Sequence, residues 1–205
     1  MLTPTTSRSS FERLNPEPLT LVVHDFGGPI GLPLCLQHPE RVRRLVLVNT
    51  WMWSFAGDRD MERKGRIAGG RLGRFLYRWA NFSLRVLTPY AYGDKRKLTP
   101  EIHRQYLDRF ADRWARGAVL WPLAHAILGS GGYYDSLWRD RDRLLGRPAL
   151  IVWGMKDPAF GAQQLARWRE TLPSARVVEI DAGHWPHEES PDSVADAMRE
   201  FLLRR

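Results

Sequence analysis

Cysteine is almost absent from this sequence of 205 residues: Cys35 has no partner for an internal disulfide or for a cysteine-based metal site. No apolar run reaches the length of about 18 residues that crosses a bilayer, and residues 1–10 lack the apolar centre of a signal peptide. The histidines have no metal-site spacing, and no glycine loop resembles a phosphate cradle. We therefore expect a cytoplasmic protein with no metal, no other cofactor and no membrane partner.

Positive charge is in modest excess: the sequence has 31 lysines and arginines, 23 acidic residues and a formal net charge of +8. The basic residues are spread through predicted helices and mixed with acids, whereas nucleic-acid-binding proteins gather them in one stripe. A solvated surface explains them, so we expect no nucleic-acid partner. A hydrophobic content of 43% favours an ordinary globular protein with one sizeable core.

Short apolar runs that alternate with helical segments determine the predicted fold class. Each run is bounded by turn residues, which is typical of buried parallel strands. A helix is expected from Pro29 to His38, and another opens at Ser190, Pro191 and Asp192. This alternation predicts an α/β fold, a mostly parallel sheet with helices on both faces. The four predicted strands are residues 19–23, 44–50, 150–154 and 175–180.

A long helical interval interrupts this alternation between the second and third predicted strands. It contains amphipathic segments, among them residues 71–86 and 100–114, and no convincing strand. An all-helical insertion at this point is best explained as a lid over the ends of the strands. We therefore divide the chain into a first core part (1–54), a helical lid (55–141) and a second core part (142–205).

Three candidate catalytic residues each follow a predicted strand. Asp25 lies in a strand-to-helix turn with Gly27 and Gly28, Asp157 follows the third strand, and His184 follows the fourth. Open α/β sheets place their sites at the carboxyl ends of the strands. The order nucleophile, acid, histidine is that of the α/β hydrolases, and a carboxylate can attack carbon to form an ester on the enzyme.

Each of the three residues also has a purely structural interpretation. Asp25 could cap the helix that follows it, and on the turn alone the two interpretations are about equal. Asp157 precedes Pro158, a pair that favours turns, and His184 could be an exposed loop residue. The shared order and position at strand ends favour the catalytic interpretation for the set.

Two longer segments carry a specific resemblance. The sequence HDFGGPIGL (24–32), followed by HPERV (38–42) and LVLVNTW (45–51), resembles the elbow, helix and next strand of the haloalkane dehalogenases. The sequence GHWPHEE (183–189) resembles their histidine loop, and epoxide hydrolases share much of this pattern. The resemblance covers both ends of the chain and implies an α/β-hydrolase fold.

The resemblance implies a hydrolase that acts through an aspartyl ester on a small apolar organic substrate, with water as the second reactant. Asp25 would be the nucleophile, His184 the base that activates water, and Asp157 its partner. The backbone N–H of Phe26 would serve as an oxyanion donor. We also place Trp51 and Trp53 among the residues that bind substrate. A halogenated alkane is the first-choice substrate and an epoxide the alternative.

Two departures from the family pattern are visible. Haloalkane dehalogenases usually have tryptophan after the nucleophile, and Phe26 lacks its halide-binding N–H. Only 24 residues precede Asp25, so we expect the first strands and a His-Gly loop to be missing. The rival hypothesis is a catalytically incomplete fragment or a binding protein. Six lid tyrosines could act as acids toward an epoxide, although packing is the more common role; they are Tyr77, Tyr90, Tyr92, Tyr106, Tyr133 and Tyr134.

Overall fold

Four strands rich in valine, leucine and isoleucine form one parallel sheet in the computed structural model, which describes residues 18–203. Every strand lies beside its neighbour in sequence, so the sheet order is β1-β2-β3-β4. All four predicted strands are confirmed. Their bounds are β1 (Leu19–Asp25), β2 (Val42–Thr50), β3 (Ala149–Gly154) and β4 (Arg176–Ile180).

The α-helices of the described residues fall into two groups. Four of them connect or follow the strands: α1 (Gly27–Gln37), α9 (Ala162–Thr171), α10 (Pro186–Glu189) and α11 (Pro191–Leu203). The others lie between β2 and β3: α2 (Arg59–Gly69), α3 (Arg71–Ala80), α4 (Thr88–Ala91), α5 (Pro100–Arg109), α6 (Arg113–Ala115), α7 (Trp121–Gly129) and α8 (Gly131–Arg139).

Successive side chains of the buried strands point to opposite faces of the sheet, which gives the molecule two cores. Leu45 and Leu47 belong to the core that includes the fully buried Trp168 of α9. Val46 and Val48 belong to the core that is covered by α11. A sheet covered on both faces is what the near-continuous apolar strands predict.

The helices between β2 and β3, which we call the lid helices after their predicted role, differ from the predicted ones at two ends. The helix predicted over 71–86 ends at Ala80, because Asn81 has the left-handed backbone that terminates helices (φ +51°). The helix predicted over 100–114 ends at Arg109, and a new one begins after Asp112, whose carboxylate accepts a hydrogen bond from the Ala115 N–H. Every element assigned between β2 and β3 in the structure is helical.

The first strand lies at an edge of the sheet in the described part of the chain, because it pairs with β2 alone. Val22 at the middle of this strand is 51% exposed. Within residues 18–203, no helix is long and apolar enough to span a membrane.

Candidate active site

The turn between β1 and α1 places Asp25 in a constrained backbone conformation. Asp25 has φ +49°, a left-handed value that is uncommon for residues other than glycine. The Thr50 hydroxyl donates to the Asp25 carbonyl over 2.5 Å and so ties the turn to the end of β2. A Cβ atom on Gly28 would lie 2.0 Å from the Thr50 Oγ1 atom, so only glycine allows this close approach. The geometry is that of the predicted nucleophile elbow.

The three predicted catalytic side chains meet at the carboxyl edge of the sheet. The His184 Nδ1 atom lies 2.7 Å from Asp157 Oδ2, and its Nε2 atom lies 3.8 Å from Asp25 Oδ1. The Asp157 side chain is fully buried, that of His184 is 10% exposed, and that of Asp25 is 37% exposed. His184 therefore lies between the buried carboxylate of Asp157 and the solvent-accessible carboxylate of Asp25.

Asp157 is held by more than the histidine. The Asn49 side chain donates to its Oδ2 atom over 2.9 Å, and the Ala159 N–H donates to its Oδ1 atom over 2.7 Å. Burial raises the pKa of Asp157, but the charge of His184 and the hydrogen bonds from His184 and the Ala159 N–H outweigh burial, so the pKa lies below its ordinary value. Asp157 is thus an ionised partner that fixes the histidine ring.

Asn49 was not predicted as a site residue, yet it connects two strand ends. Its amide also donates to the Gly154 carbonyl over 3.1 Å, and its side-chain oxygen accepts from the Gly154 N–H over 2.8 Å. Asn49 is fully buried and has a left-handed backbone with φ +29°. The sequence signal for this role was an amide side chain directly after the apolar run of residues 45–48.

Electrostatics make His184 a strong base. Burial by itself lowers the pKa of His184, but the carboxylates of Asp157 and Asp25 raise it by more, so the net shift is well above the ordinary value. The raised pKa favours the protonated form of the imidazole. Neutralising Asp25 would bring the pKa down again.

A second histidine, His24, lies beside the first and has the opposite shift. The two ring centroids are 4.7 Å apart, and the His24 Nε2 atom lies 2.8 Å from the His184 carbonyl oxygen. Burial and the charge of His184 lower the pKa of His24 to about 4. A neutral His24 that donates from Nε2 to this carbonyl fits both observations. Its role as a support of the histidine loop was not predicted.

Two consecutive glutamates join the histidine loop to the lid. The Glu189 carboxylate accepts hydrogen bonds from the backbone N–H groups of Gly183, Gly93 and Asp94 over 2.7, 3.2 and 2.9 Å, and the residue is 3% exposed. The His184 N–H donates to the carbonyl of Ala91 over 2.8 Å. The backbone on both sides of His184 is therefore anchored to the end of α4 and to the turn that follows it.

Glu188 accepts hydrogen bonds from two lid tyrosines, Tyr92 and Tyr106. Burial and the adjacent Glu188 carboxylate raise the pKa of both hydroxyls well above the ordinary value. Other predicted tyrosine donors are also engaged, since Tyr133 donates to the Pro29 carbonyl over 2.6 Å and Tyr134 to the Ala126 carbonyl over 2.9 Å.

Aromatic rings form a wall beside the candidate nucleophile. The Phe26 ring lies 4.8 Å from that of Trp51, Trp51 stacks on Phe160 at 5.0 Å, and Phe160 lies 5.6 Å from the His184 ring. Trp51 is fully buried, and its indole N–H has no hydrogen-bond partner among the described residues. A buried donor without a partner is costly, so a ligand atom that accepted from it would be well bound.

Trp53 lies in different surroundings from Trp51. Its ring lies 5.4 Å from Trp138 and 5.2 Å from Trp168, and the Arg167 guanidinium covers it at 4.7 Å. These contacts make Trp53 part of a packed tryptophan cluster between the core and α8. The described residues show no cluster of three or more histidine, cysteine or acidic side chains arranged to hold a metal ion.

The sequence over residues 11–191 matches the family model for the alpha/beta hydrolase fold. The chain belongs to this family. Its curated relatives include the cis-3-alkyl-4-alkyloxetan-2-one decarboxylase of Shewanella oneidensis, 31% identical over 193 residues, which cover 91% of this chain and 60% of the relative. Haloalkane dehalogenase 2 of Mycobacterium tuberculosis is 30% identical over 179 residues, with coverages of 86% and 61%. The chain thus spans about three fifths of these relatives' length.

Solved structures confirm the predicted fold. A haloalkane dehalogenase loop variant from Bradyrhizobium elkanii matches with a TM-score of 0.79 at 17% identity, covering 97% of this chain and 71% of that one. A Bacillus megaterium epoxide hydrolase with a bound inhibitor matches with a TM-score of 0.70 at 22% identity, covering 98% and 75%. The predicted relationship to haloalkane dehalogenases and epoxide hydrolases is confirmed, whereas the relationship to a decarboxylase was not predicted.

Proposed function

We propose that this chain is a hydrolase that acts through a covalent ester on Asp25, with a haloalkane as its first-choice substrate. The observation that carries the proposal is the arrangement of the three side chains. Asp25 presents an accessible carboxylate on a left-handed elbow, and the Nε2 atom of His184, braced by the buried Asp157, lies 3.8 Å from it.

The first step needs no base. A carboxylate oxygen can attack an electrophilic carbon without first losing a proton to a base, so Asp25 can attack carbon directly. The distance of 3.8 Å between His184 Nε2 and Asp25 Oδ1 is too long for a hydrogen bond, which leaves the carboxylate oxygen free to react. An oxygen–carbon bond forms, and the bond to the leaving group breaks with its electron pair on the leaving group.

The second step is assigned to His184. Esterification removes the negative charge of Asp25, and with it one of the two carboxylates that raise the pKa of His184. The imidazole can then release its proton and accept one from a water molecule that attacks the ester carbonyl carbon. The Phe26 N–H would stabilise the resulting oxyanion. Cleavage of the acyl–oxygen bond releases the alcohol, whose oxygen takes the proton held by His184. Asp25 is left as a carboxylic acid, which passes the second water proton to the neutral imidazole and becomes a carboxylate again.

The hydrogen bonds of the lid tyrosines favour substrates whose leaving group is a stable anion. Opening an epoxide produces an alkoxide, which needs a proton donor. The hydroxyls of Tyr92 and Tyr106 donate to Glu188, and that of Tyr134 donates to a backbone carbonyl. A halide needs no proton, and the unpartnered indole N–H of Trp51 could donate to it.

A second candidate substrate is a four-membered lactone, and two observations favour it. Phe26 lacks the donor that a halide-binding site usually has at this position, and relatives 31% and 32% identical are named as decarboxylases of oxetan-2-ones. Attack of Asp25 on the ring carbon that bears the ring oxygen expels a carboxylate, which is also a stable anion. Loss of carbon dioxide with release of Asp25 would then give an alkene, with no need for water.

Intact-mass spectrometry on His184→Gln tests the proposal. With a reactive bromoalkane, alkylation of Asp25 should proceed while hydrolysis stalls, so the variant should gain the mass of one alkyl group. Peptide mapping should place the adduct on Asp25, and Asp25→Asn should abolish it. His38→Gln, a change at a histidine paired with Glu40 outside the site, is the matched control and should turn over without accumulating an adduct.

Two outcomes would contradict this proposal. An unmodified His184→Gln variant, alongside a parent that turns the bromoalkane over, would exclude Asp25 as the nucleophile. A parent that neither turns over bromoalkanes nor becomes alkylated would exclude the haloalkane reaction. Conversion of an oxetan-2-one to an alkene by both the parent and His184→Gln would then favour the lactone, and no reaction with either substrate would favour the incomplete-fragment hypothesis.

A further inference from the structure

The net charge of the chain resides in the lid. Residues 55–141 contain 17 lysines and arginines and 9 acidic residues, a net charge of +8. The rest of the sequence contains 14 basic and 14 acidic residues, so it is neutral. The imbalance is sharpest over residues 63–93, which include seven basic residues and no acidic one. Helix α3 (Arg71–Ala80) lies in the middle of this acid-free segment.

Helix α3 has three distinct faces. At about 100° per residue, the buried Gly73 and Tyr77 lie on one face, which packs into the lid. The three arginines of the helix lie within a sector of about 60°, and the apolar Leu72, Phe75 and Trp79 lie within an adjacent sector of about 60°. The arginines are Arg71, Arg74 and Arg78.

The apolar sector of α3 faces solvent. Leu72 is 65% exposed, Phe75 58% and Trp79 51%. Trp114, which follows α5 in the lid, is 58% exposed and extends the same surface. Soluble proteins seldom expose several large apolar side chains side by side unless the surface binds something.

Cation–π contacts join α3 to Arg113 and Trp114, and we call the surface that these two residues form with the exposed side chains of α3 the lid face. It consists of Leu72, Phe75, Trp79 and Trp114 with Arg71, Arg74, Arg78 and Arg113. The Arg113 guanidinium lies 4.5 Å from the Trp79 ring centre, and that of Arg78 lies 3.3 Å from the Trp114 ring centre. The Phe75 and Trp79 rings are 6.4 Å apart. Arginine and tryptophan in contact are suited to the boundary between lipid headgroups and acyl chains.

We propose that the lid face docks on the surface of an anionic phospholipid membrane. The arginines complement the negative headgroups, and Leu72, Phe75 and Trp79 would insert at the acyl boundary. A nucleic acid would also attract the arginines, but it offers no hydrocarbon for an exposed leucine. The sequence analysis led us to expect no membrane partner, on the ground that no segment could cross a bilayer; the proposal departs from that expectation, because this helix would lie on the bilayer surface. The proposal is independent of the reaction at Asp25.

Co-sedimentation with vesicles tests this proposal. The purified chain should pellet with vesicles of phosphatidylglycerol and phosphatidylcholine, should not pellet with pure phosphatidylcholine, and should be released as salt is raised. In Arg71→Gln with Arg74→Gln, binding should fall about twenty-fivefold, since each basic residue at such a surface contributes about fivefold. In Leu72→Gln with Phe75→Gln, binding should fall at least about tenfold.

Matched variants on the core separate the lid face from general charge and hydrophobicity. Arg43→Gln with Arg199→Gln removes the same charge, and Leu202→Gln with Leu203→Gln removes exposed apolar side chains from α11; both should bind vesicles like the parent. Circular dichroism establishes that each variant is folded. Absence of parent binding, or equal losses in the core variants, would overturn the proposal. Salt-sensitive binding to a DNA duplex without binding to vesicles would also overturn it.

Discussion

The carboxyl edge of the sheet and the lid use polar residues in opposite ways. At the sheet edge, Asp157, His184 and Asn49 are buried, and each is held by hydrogen bonds within the protein. In the lid, Arg78 of α3 and Arg113 of α6 lie over exposed tryptophan rings, and the whole net charge of the chain resides in this region. The first arrangement fixes reactive groups in one geometry, and the second leaves charge available to an outside surface.

Glu188 and Glu189 connect the carboxyl edge of the sheet to the lid, and they do so through different kinds of hydrogen-bond donor. Both carboxylates join the histidine loop to the lid, but Glu189 accepts from three backbone N–H groups, whereas Glu188 accepts from two tyrosine hydroxyls. Backbone donors cannot rotate to find another partner, whereas hydroxyls can.

Glu189→Gln should therefore have the largest effect on stability among the changes discussed below. The glutamine oxygen can accept some of these bonds, but its NH₂ group would face backbone donors, so we expect a loss of about 3 kcal/mol. Urea unfolding measures it. Glu188→Gln is the control, and it should cost less than about 1 kcal/mol because the amide can still accept from one tyrosine and donate to the other. If the two variants lost the same free energy of unfolding, the backbone hydrogen bonds of Glu189 would contribute no more to stability than the tyrosine hydrogen bonds of Glu188.

The two neighbouring histidines should make opposite contributions to the pH dependence of stability. His24 has a lowered pKa of about 4 in the folded state, so the stability associated with its neutral form is present above the unfolded value of about 6.5 and is lost as the pH falls toward 4. His184 has a raised pKa, so its contribution is present below about 6.5 and is lost as the pH rises.

Unfolding free energies at pH 7.5 and pH 5 separate the two contributions. Between pH 6.5 and 5, His24 should account for a loss of up to about 2 kcal/mol in the parent, and His24→Gln should lack that loss. The glutamine amide can still donate to the His184 carbonyl, so the histidine loop keeps its support. His184→Gln should instead lose stability relative to the parent on the acid side. Identical pH profiles for parent and His24→Gln would show that His24 is not buried in its neutral form.

Sequence patterns predicted the parts of this molecule that depend on local order along the chain. The four strands, the elbow and the positions of Asp25, Asp157 and His184 each follow from an apolar run that ends in a turn, and parallel strands bring such turns to one edge. Lid helix ends were less predictable, since the break after Ala80 depends on the left-handed backbone of a single asparagine.

The supporting residues could not be predicted, because their roles depend on partners far away in the sequence. Asn49 contacts Asp157 from 108 positions away, and His24 contacts the carbonyl of His184 from 160 positions away. Glu189 connects to a lid turn 95 and 96 positions earlier. Hydrophobic periodicity predicts which face of a helix or strand is buried, but it does not predict which buried polar side chains form hydrogen bonds with each other.

The two parts of the Trp51 side chain differ in what they do: the ring packs in the core, whereas the indole N–H is available to bind a ligand. Its buried indole N–H has no hydrogen-bond partner within residues 18–203, which is unfavourable for the folded state, whereas its rings pack against Phe26 and Phe160. Trp51→Phe removes the donor and some packing together. The two effects oppose each other, so the free energy of unfolding should change by less than about 1 kcal/mol.

Ligand binding should respond more strongly than stability does to this substitution. If the donor serves a departing halide, inhibition of turnover by bromide should weaken about tenfold in Trp51→Phe, because a hydrogen bond to a charged group is lost. Phe26→Trp is the complementary variant, since it adds an indole N–H beside the nucleophile and should strengthen bromide inhibition. Bromide inhibition unchanged by either substitution would assign Trp51 to packing alone and would favour a carboxylate as the leaving group.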